Sequence, residues 1–263
     1  MTFVPSMPKS FDADMRYAAP VLYWIAVSFI AAFVLCSALG LVDERLFNGV
    51  SVWEKPAKFF LSLSVHAATL GWGVLLMPES QRGSKGVRWA AILFSGAAVG
   101  EMLWITFQGA RGAASHFNQT DPLAMALYPL MGLGALTLTA TTIYLGWRIL
   151  RSGKSVMSHA AGVGFIVSGI LTTLVAGYMA QKTGHSIGGD QSDASGLAFF
   201  HWSTTGGDLR VSHFAALHVA QALPFLAWIW PDRRIVALGA IVSVIVVAAL
   251  FVQALAGTPF LRA

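Results

Sequence analysis

The chain has 263 residues, 56% of them hydrophobic and 11% charged, with a net charge of +5. A soluble domain carries about 25% charged residues, which excludes a water-soluble α/β enzyme. The basic residues fall in short clusters between apolar runs, a pattern that excludes nucleic acid as a partner. The single cysteine, Cys36, leaves no internal disulfide and no Cys-rich metal centre, and in its apolar run it reads as a small buried hydrophobe.

Seven apolar segments follow in chain order, at approximately 18–42, 56–77, 88–110, 122–148, 159–181, 212–230 and 235–257. Each is near the ~20 residues that a helix needs to cross ~30 Å of hydrocarbon. The first run exceeds the roughly 7–15-residue core of a cleaved signal peptide, so it reads as a retained span. Pro56 sits in the first turn of the second span, where a missing N–H costs nothing, and Pro78 and Pro231 follow the second and sixth. The runs are continuous rather than alternating, which excludes a barrel, and no repeat is evident to support an inverted-repeat transporter. The expected fold is all-α: a seven-transmembrane-helix bundle, one integral membrane domain over 1–263, with one long outward-facing loop.

Orientation follows from the loops. Lys9, Arg16, Arg82, Lys85, Arg88, Arg148, Arg151, Lys154, Arg233 and Arg234 fall on one side, ten of the 17 basic residues. The positive-inside rule then puts the N-terminus in the cytoplasm and the C-terminus outside. The long connection runs from Lys182 to Val211, and its Phe199–Phe200–His201–Trp202 core is apolar enough to predict a structured cap. Gly96 and Gly100 form a small-xxx-small pair that predicts close helix packing.

Polar residues gather on the outward side. Glu101, Trp104, Gln108 and Arg111 share one face of the third span, and Glu101 lies about 12 Å below its outer end. On the sixth span His218 lies about 9 Å below Ser212, a plausible N-cap, with Gln221 one turn deeper. Lys58, Ser62, His66 and Thr69 share a face of the second span, with His66 about 15 Å in. Ionisable groups at such depth cost roughly 2.5–3.5 kcal/mol on insertion scales and usually mark function. Plainer roles exist: His66 can be a hydrogen-bonded clamp between helices, Glu101 a protonated carboxyl bonded to a neighbour, and Asp208 and Arg210 a simple pair. His159 and His201 read as structural. His213 and His218, five residues apart, cannot chelate one ion on a straight helix unless His213 is still in the loop.

Three phrases carry a resemblance: Trp53–Glu54–Lys55–Pro56 with Lys58–Phe59; Arg111–Gly112 with Ser115–His116–Phe117–Asn118; and Thr205–Gly206–Gly207–Asp208–Leu209–Arg210 with His213–Phe214, His218 and Gln221. They resemble a bacterial family of uncharacterised multispanning inner-membrane proteins, most specifically in the last phrase. The resemblance extends over most of the chain from Trp53 onward. It implies one bundle and a site shared by these residues, and it brings no activity with it. A retinal protein is excluded because the seventh span has no lysine, and a HExxH protease because that motif is absent.

The leading expectation is a periplasm-facing metal site, with Zn or Fe held by His116, His213, His218 and Glu101, in what could be a membrane enzyme. Glu101, Arg111, Asp208 and Arg210 would carry its chemistry, and Lys58, His66, Gln108, Asn118, His185 and Gln221 would contact a small-molecule ligand. The first alternative is a small-solute transporter or receptor that uses the same residues without metal. The second is a b-type haem protein with His66 or His218 as axial ligands. On any of these readings Glu101 and His218 should be adjacent, with His116 and His213 above them and Arg111 and Arg210 at the flanks. The lipid bilayer is the expected partner, along with a larger membrane complex or a second copy of the chain.

Overall fold

The computed structural model describes residues 11–190 and 192–262; Lys9 of the basic count lies outside them. The elements are α1 (Phe11–Ala18), α2 (Pro20–Val42), β1 (Leu46–Phe47), β2 (Val50–Ser51), α3 (Glu54–Leu75), α4 (Glu79–Arg82), α5 (Lys85–Ala110), α6 (Pro122–Ser152), α7 (Val156–Lys182), β3 (Ser186–Ile187), β4 (Gly207–Asp208), α8 (Leu209–Ile229) and α9 (Arg233–Leu255). The all-helical expectation holds, and the only strands among the described residues are two antiparallel pairs, β1 with β2 and β3 with β4.

Helices α2, α3, α5, α6, α7 and α9 are long and apolar enough to cross a membrane, so the chain is a multi-pass membrane protein. Helix α8 has 21 residues but falls outside that set. Arg210, His213, His218 and Gln221 dilute its apolar character. The first expected span is α2 alone: Pro20 opens it after Ala19, and α1 folds back so that Met15 packs on Gly71 of α3. Lipid-facing surface is evident on α2 (Trp24, Val34, Leu35), α6 (Leu130, Leu133, Leu136) and α9 (Leu238, Ile241, Ile245), all exposed.

Several helix starts are written locally. Asp121, Ser155, Asp208 and Asp232 each accept a hydrogen bond from a backbone N–H of the first turn of α6, α7, α8 and α9. Ser212 is therefore not the N-cap of α8. Its hydroxyl donates to the carbonyl of Leu209 at 3.0 Å, one turn inside the helix.

Neighbouring helices pack in sequence, α2 on α3, α5 on α6, α6 on α7, α7 on α8 and α8 on α9, with α3 also reaching α5, α6 and α7. This leaves the bundle with two unlike ends. At the basic end Arg82 donates to the carbonyls of Leu75, the last residue of α3, and of Met77 just beyond it, Arg148 to Ser84, and Arg233 to the carbonyl of Lys154. Above it Leu70, Val74, Met77, Phe94, Leu145, Ile149 and Phe165 are all 0–1% exposed and form a sealed core. At the polar end Arg45 donates to the carbonyl of Ala110 and Asn48 to Asp193, tying the β1–β2 hairpin to α5 and to the α7–α8 connection.

The Gly96–Gly100 expectation does not hold. Nothing stands within 4 Å of a Cβ built at either position, so both glycines face open space on α5. The close approaches occur elsewhere: at Gly73 against Phe165 and Ile149, and at Gly146 against Gly162 and Phe165.

Candidate functional site

The glycine-rich phrase before α8 has a direct structural reason. A Cβ at Gly206 would meet the Gly188 carbonyl at 2.4 Å, and one at Gly207 would fall on the carbonyl oxygen of Ala254. Only glycine lets β4 pass between β3 and the end of α9. That passage delivers Asp208, with its side chain wholly buried, to the start of α8. Asp208 accepts from the N–H groups of Arg210 (2.9 Å) and Ser203 (3.0 Å), takes two guanidinium nitrogens of Arg210 (2.7 and 3.0 Å), and lies 3.5 Å from His185 Nδ1. Burial alone would raise its pKa, but bonds to His185 and Arg210 hold it well below the usual carboxylate range. Arg210 also donates to Asp193 at 2.9 Å and to the carbonyl of His201. Asp208, Arg210, His185 and Asp193 thus form one saturated node that pins the α7–α8 connection to α8.

The connection is a partly buried cap. Trp202 is 9% exposed, stacked on Phe200 at 4.4 Å and edge-on to Phe214 of α8 and to Phe260. Its tip is not buried: Phe199 is 56% exposed and lies 5.5 Å over the Lys58 ammonium. Phe199 and His201 sit in the left-handed region, at φ 68° and 55°. For side chains of that size this costs roughly 1–2 kcal/mol per residue. Contacts from α3 and α8 hold the turn in place. His201, read above as structural, bonds to Glu54 through Nε2, and the same Glu54 oxygen takes the Lys58 ammonium at 2.5 Å.

The loop between α5 and α6 is built by the residues of the second phrase. Trp104 Nε1 donates to the carbonyl of Ser115 at 2.7 Å, and Gln108, wholly buried, donates to that of Ala114 at 3.1 Å. Arg111 bridges Gln108 Oε1 (2.9 Å) and Asp121 (3.0 Å), and Asn118 bonds to Ala114, Thr120 and Asp121. Gln108, Arg111 and Asn118 therefore spend their hydrogen bonds on the loop itself. The product is the position of His116, whose Nε2 is 4.0 Å from Glu101 and whose ring is 6.0 Å from Phe59. Burial, and next the charge of Lys55, push the His116 pKa down to about 3.

Helix α3 joins these parts. Lys55, Lys58, Phe59, Ser62, His66 and Thr69 lie within about 100° of one helical face. Lys55 and Lys58 lie at the polar end, Phe59 beside His116, and Ser62 is exposed. Deeper in, His66 bonds to Thr142 of α6 at 2.9 Å and stacks on Phe94, while Thr69 accepts from Gln221 of α8 at 3.0 Å. One turn further the same face reaches Gly73, where Phe165 and Ile149 close it off. His218 of α8, exposed and 4.1 Å from Phe214, lies close enough to His66 to interact with it electrostatically. The outcome is a stripe along α3, facing α6 and α8, that is polar at its outer end and apolar at its inner end. Glu101 Oε1, His213 Nδ1 and His201 Nδ1 are among the buried side-chain atoms with no hydrogen-bond partner among the described residues. Buried polar atoms normally have one.

The expected residues thus separate into three groups: Glu101 with His116; His66 with His218 and Gln221; and Asp208 with Arg210 and His185. Glu101 lies beside His116 and Gly134, and His218 beside Phe214, Gln221 and His66. His213 lies inside α8, so it is not a loop ligand. Among the described residues no three of His, Cys, Asp and Glu come close enough to hold one metal ion, so the expected donor set of His116, His213, His218 and Glu101 is not assembled. Sequence reasoning passed over Glu54 and His201. The Glu54–Lys58 spacing of four residues was a visible signal for half of that contact. No family model matches the chain, and no curated protein and no solved structure matches it either.

Proposed function

We propose that the chain is a seven-span inner-membrane protein, with α8 as the polar sixth span, that binds a small polar solute in a crevice along the α3 stripe as a transporter or receptor. The N-terminus is cytoplasmic and the crevice opens to the periplasm, because the basic loops lie at its closed end. One observation carries the reading: the α3 stripe from Lys55 to Thr69 meets partners from α6, α8 and both polar-end connections, then ends on the Gly73–Phe165–Ile149 floor. A lone clamp such as His66–Thr142 would need none of the exposed Lys55, Ser62 and His218. The small-solute reading is preferred to the metal reading because the polar groups are spread along about 21 Å of helix, from Lys55 to Thr69, rather than converging on a point.

Thiol labelling tests it. In a Cys36→Ala background, Ser62→Cys should react with a membrane-impermeant maleimide added from the periplasmic side, and Val74→Cys should react from neither side. An unreactive Ser62→Cys would reject the crevice. Reporter fusions after Lys85 and after Gly189 should score cytoplasmic and periplasmic, and the same side for both would reject the topology.

A haem is the second reading, favoured by His66 and His218 lying within electrostatic range on α3 and α8, two helices that are not closely packed. A Soret band in the purified protein would select it over the solute reading.

A further inference from the structure

The charges at the mouth of the crevice are unevenly spent. Arg210 is consumed by Asp208, Asp193 and the carbonyl of His201. Lys58 and His201 share a single oxygen of Glu54. Lys55 has no carboxylate within 4.0 Å among the described residues; the ring of Phe59 lies 5.8 Å from its ammonium, and His116 is close enough to feel its charge. Within contact distance two ammonium groups and an imidazole N–H therefore meet one carboxylate, Glu54, while Asp193 acts on both lysines from further off. Because a carboxylate only accepts, the His201 nitrogen that meets Glu54 is a donor. The turn that carries His201 is held in left-handed backbone by that contact and by Arg210.

We infer that the crevice takes an anionic solute, whose carboxylate or phosphate group binds Lys55 and displaces Glu54 from Lys58 and His201. Glu54 is the resident stand-in for the anion of the solute. Displacing it loosens the tip of the Leu197–Trp202 turn, which loses the His201–Glu54 tie to α3 and keeps the Arg210 contact and its own backbone hydrogen bonds. Occupancy of the site and loosening of the tip are then one event. Arg210 stays on its own carboxylates throughout, so the base of the cap, anchored by Trp202, does not move. The inference holds only if the crevice is open to solute, as proposed above.

The Ser62→Cys, Cys36→Ala protein in phosphatidylcholine nanodiscs separates the two ideas. A neutral water-soluble maleimide labels Cys at 62, and the labelling rate is read with glutarate, inorganic phosphate, choline or glucose present at matched ionic strength in chloride. Glutarate or phosphate should slow labelling at least about fivefold, and which of them does so decides between carboxylate and phosphate. Lys55→Gln, which breaks no ion pair, should remove that protection, each variant's rate being compared with its own rate without any probe. Glu54→Gln should lower the half-protecting anion concentration about tenfold, because the competitor is gone. Labelling that choline or glucose slows as well as the anions do, or that no probe slows, overturns the anion inference and leaves the crevice standing. Absence of labelling without any probe overturns the crevice and the inference together.

Discussion

The two halves of this bundle are held together by different physics. In the basic half, Phe94, Phe165, Leu145, Ile149, Val74 and Met77 are fully buried, Gly73 lies against the Phe165 and Ile149 side chains, and Gly146 lies against the backbone of Gly162, so closely that neither has room for a Cβ. In the polar half, fixed points come from charges and hydrogen bonds: the Asp208–Arg210 node, the Gln108–Arg111–Asp121 loop clamp, and Glu54 with Lys58 and His201. Lipid is as apolar as leucine, so apolar packing inside a membrane gains by fit rather than by escape from water. The packed half is consequently rigid and closed. The polar half keeps side chains that can exchange partners, and that is where a binding site can exist.

The largest test of this contrast is a pair of phenylalanines. Phe165→Ala should cost about 3 kcal/mol, the low end of the range for such deletions, because packing is lost but little transfer energy is. Phe59→Ala, at a residue 37% exposed, should cost under about 1 kcal/mol. Reversible unfolding in mixed micelles measures both, and equal losses would erase the distinction. A second pair uses glycines. Gly73→Ala places a Cβ 2.7 Å from Phe165 and 2.9 Å from Ile149, and should destabilise by about 1–3 kcal/mol. Gly96→Ala meets nothing within 4 Å and should stabilise by up to about 1 kcal/mol through helix propensity. A loss at Gly96 would mean that a further helix covers that face.

The smallest effect is a pH dependence confined to the polar half. His116 has an ordinary pKa of 6.5, and in the folded protein burial and then Lys55 bring it to about 3. Between those values the unfolded chain binds the extra proton, so stability contributed by the neutral ring is complete above 6.5 and is lost as pH falls toward 3. The unfolding midpoint should drop across that window, and His116→Gln should flatten the drop. An unchanged profile in that variant would show that the ring is not held neutral by its surroundings.

Much of this was legible in the sequence. Six spans are set by apolar runs of ~20 residues, a signal that depends only on the cost of moving side chains between water and lipid. The helix starts at Asp121 and Asp232 are equally local. The start of α8 was misread because Asp208 and Ser212 are both good caps, and the choice was made by Ser203 and His185, which arrive from the connection. The α3 stripe could be drawn from a period of 3.6, but not the side chains that it meets.

The sequence alone determined which segments enter the membrane, which end is basic, and which residues are too polar to face lipid. The tertiary structure decided how those polar residues are divided. Glu101 met His116 because Trp104 and Gln108 fold the α5–α6 loop back over it. Glu54 met His201 because a left-handed turn, whose cost no local propensity favours, is held from α8 by Arg210. Hydropathy is a sum over single residues and can be read along the chain. A pairing between residues some 150 positions apart depends on how the chain closes on itself, and only the folded geometry specifies it.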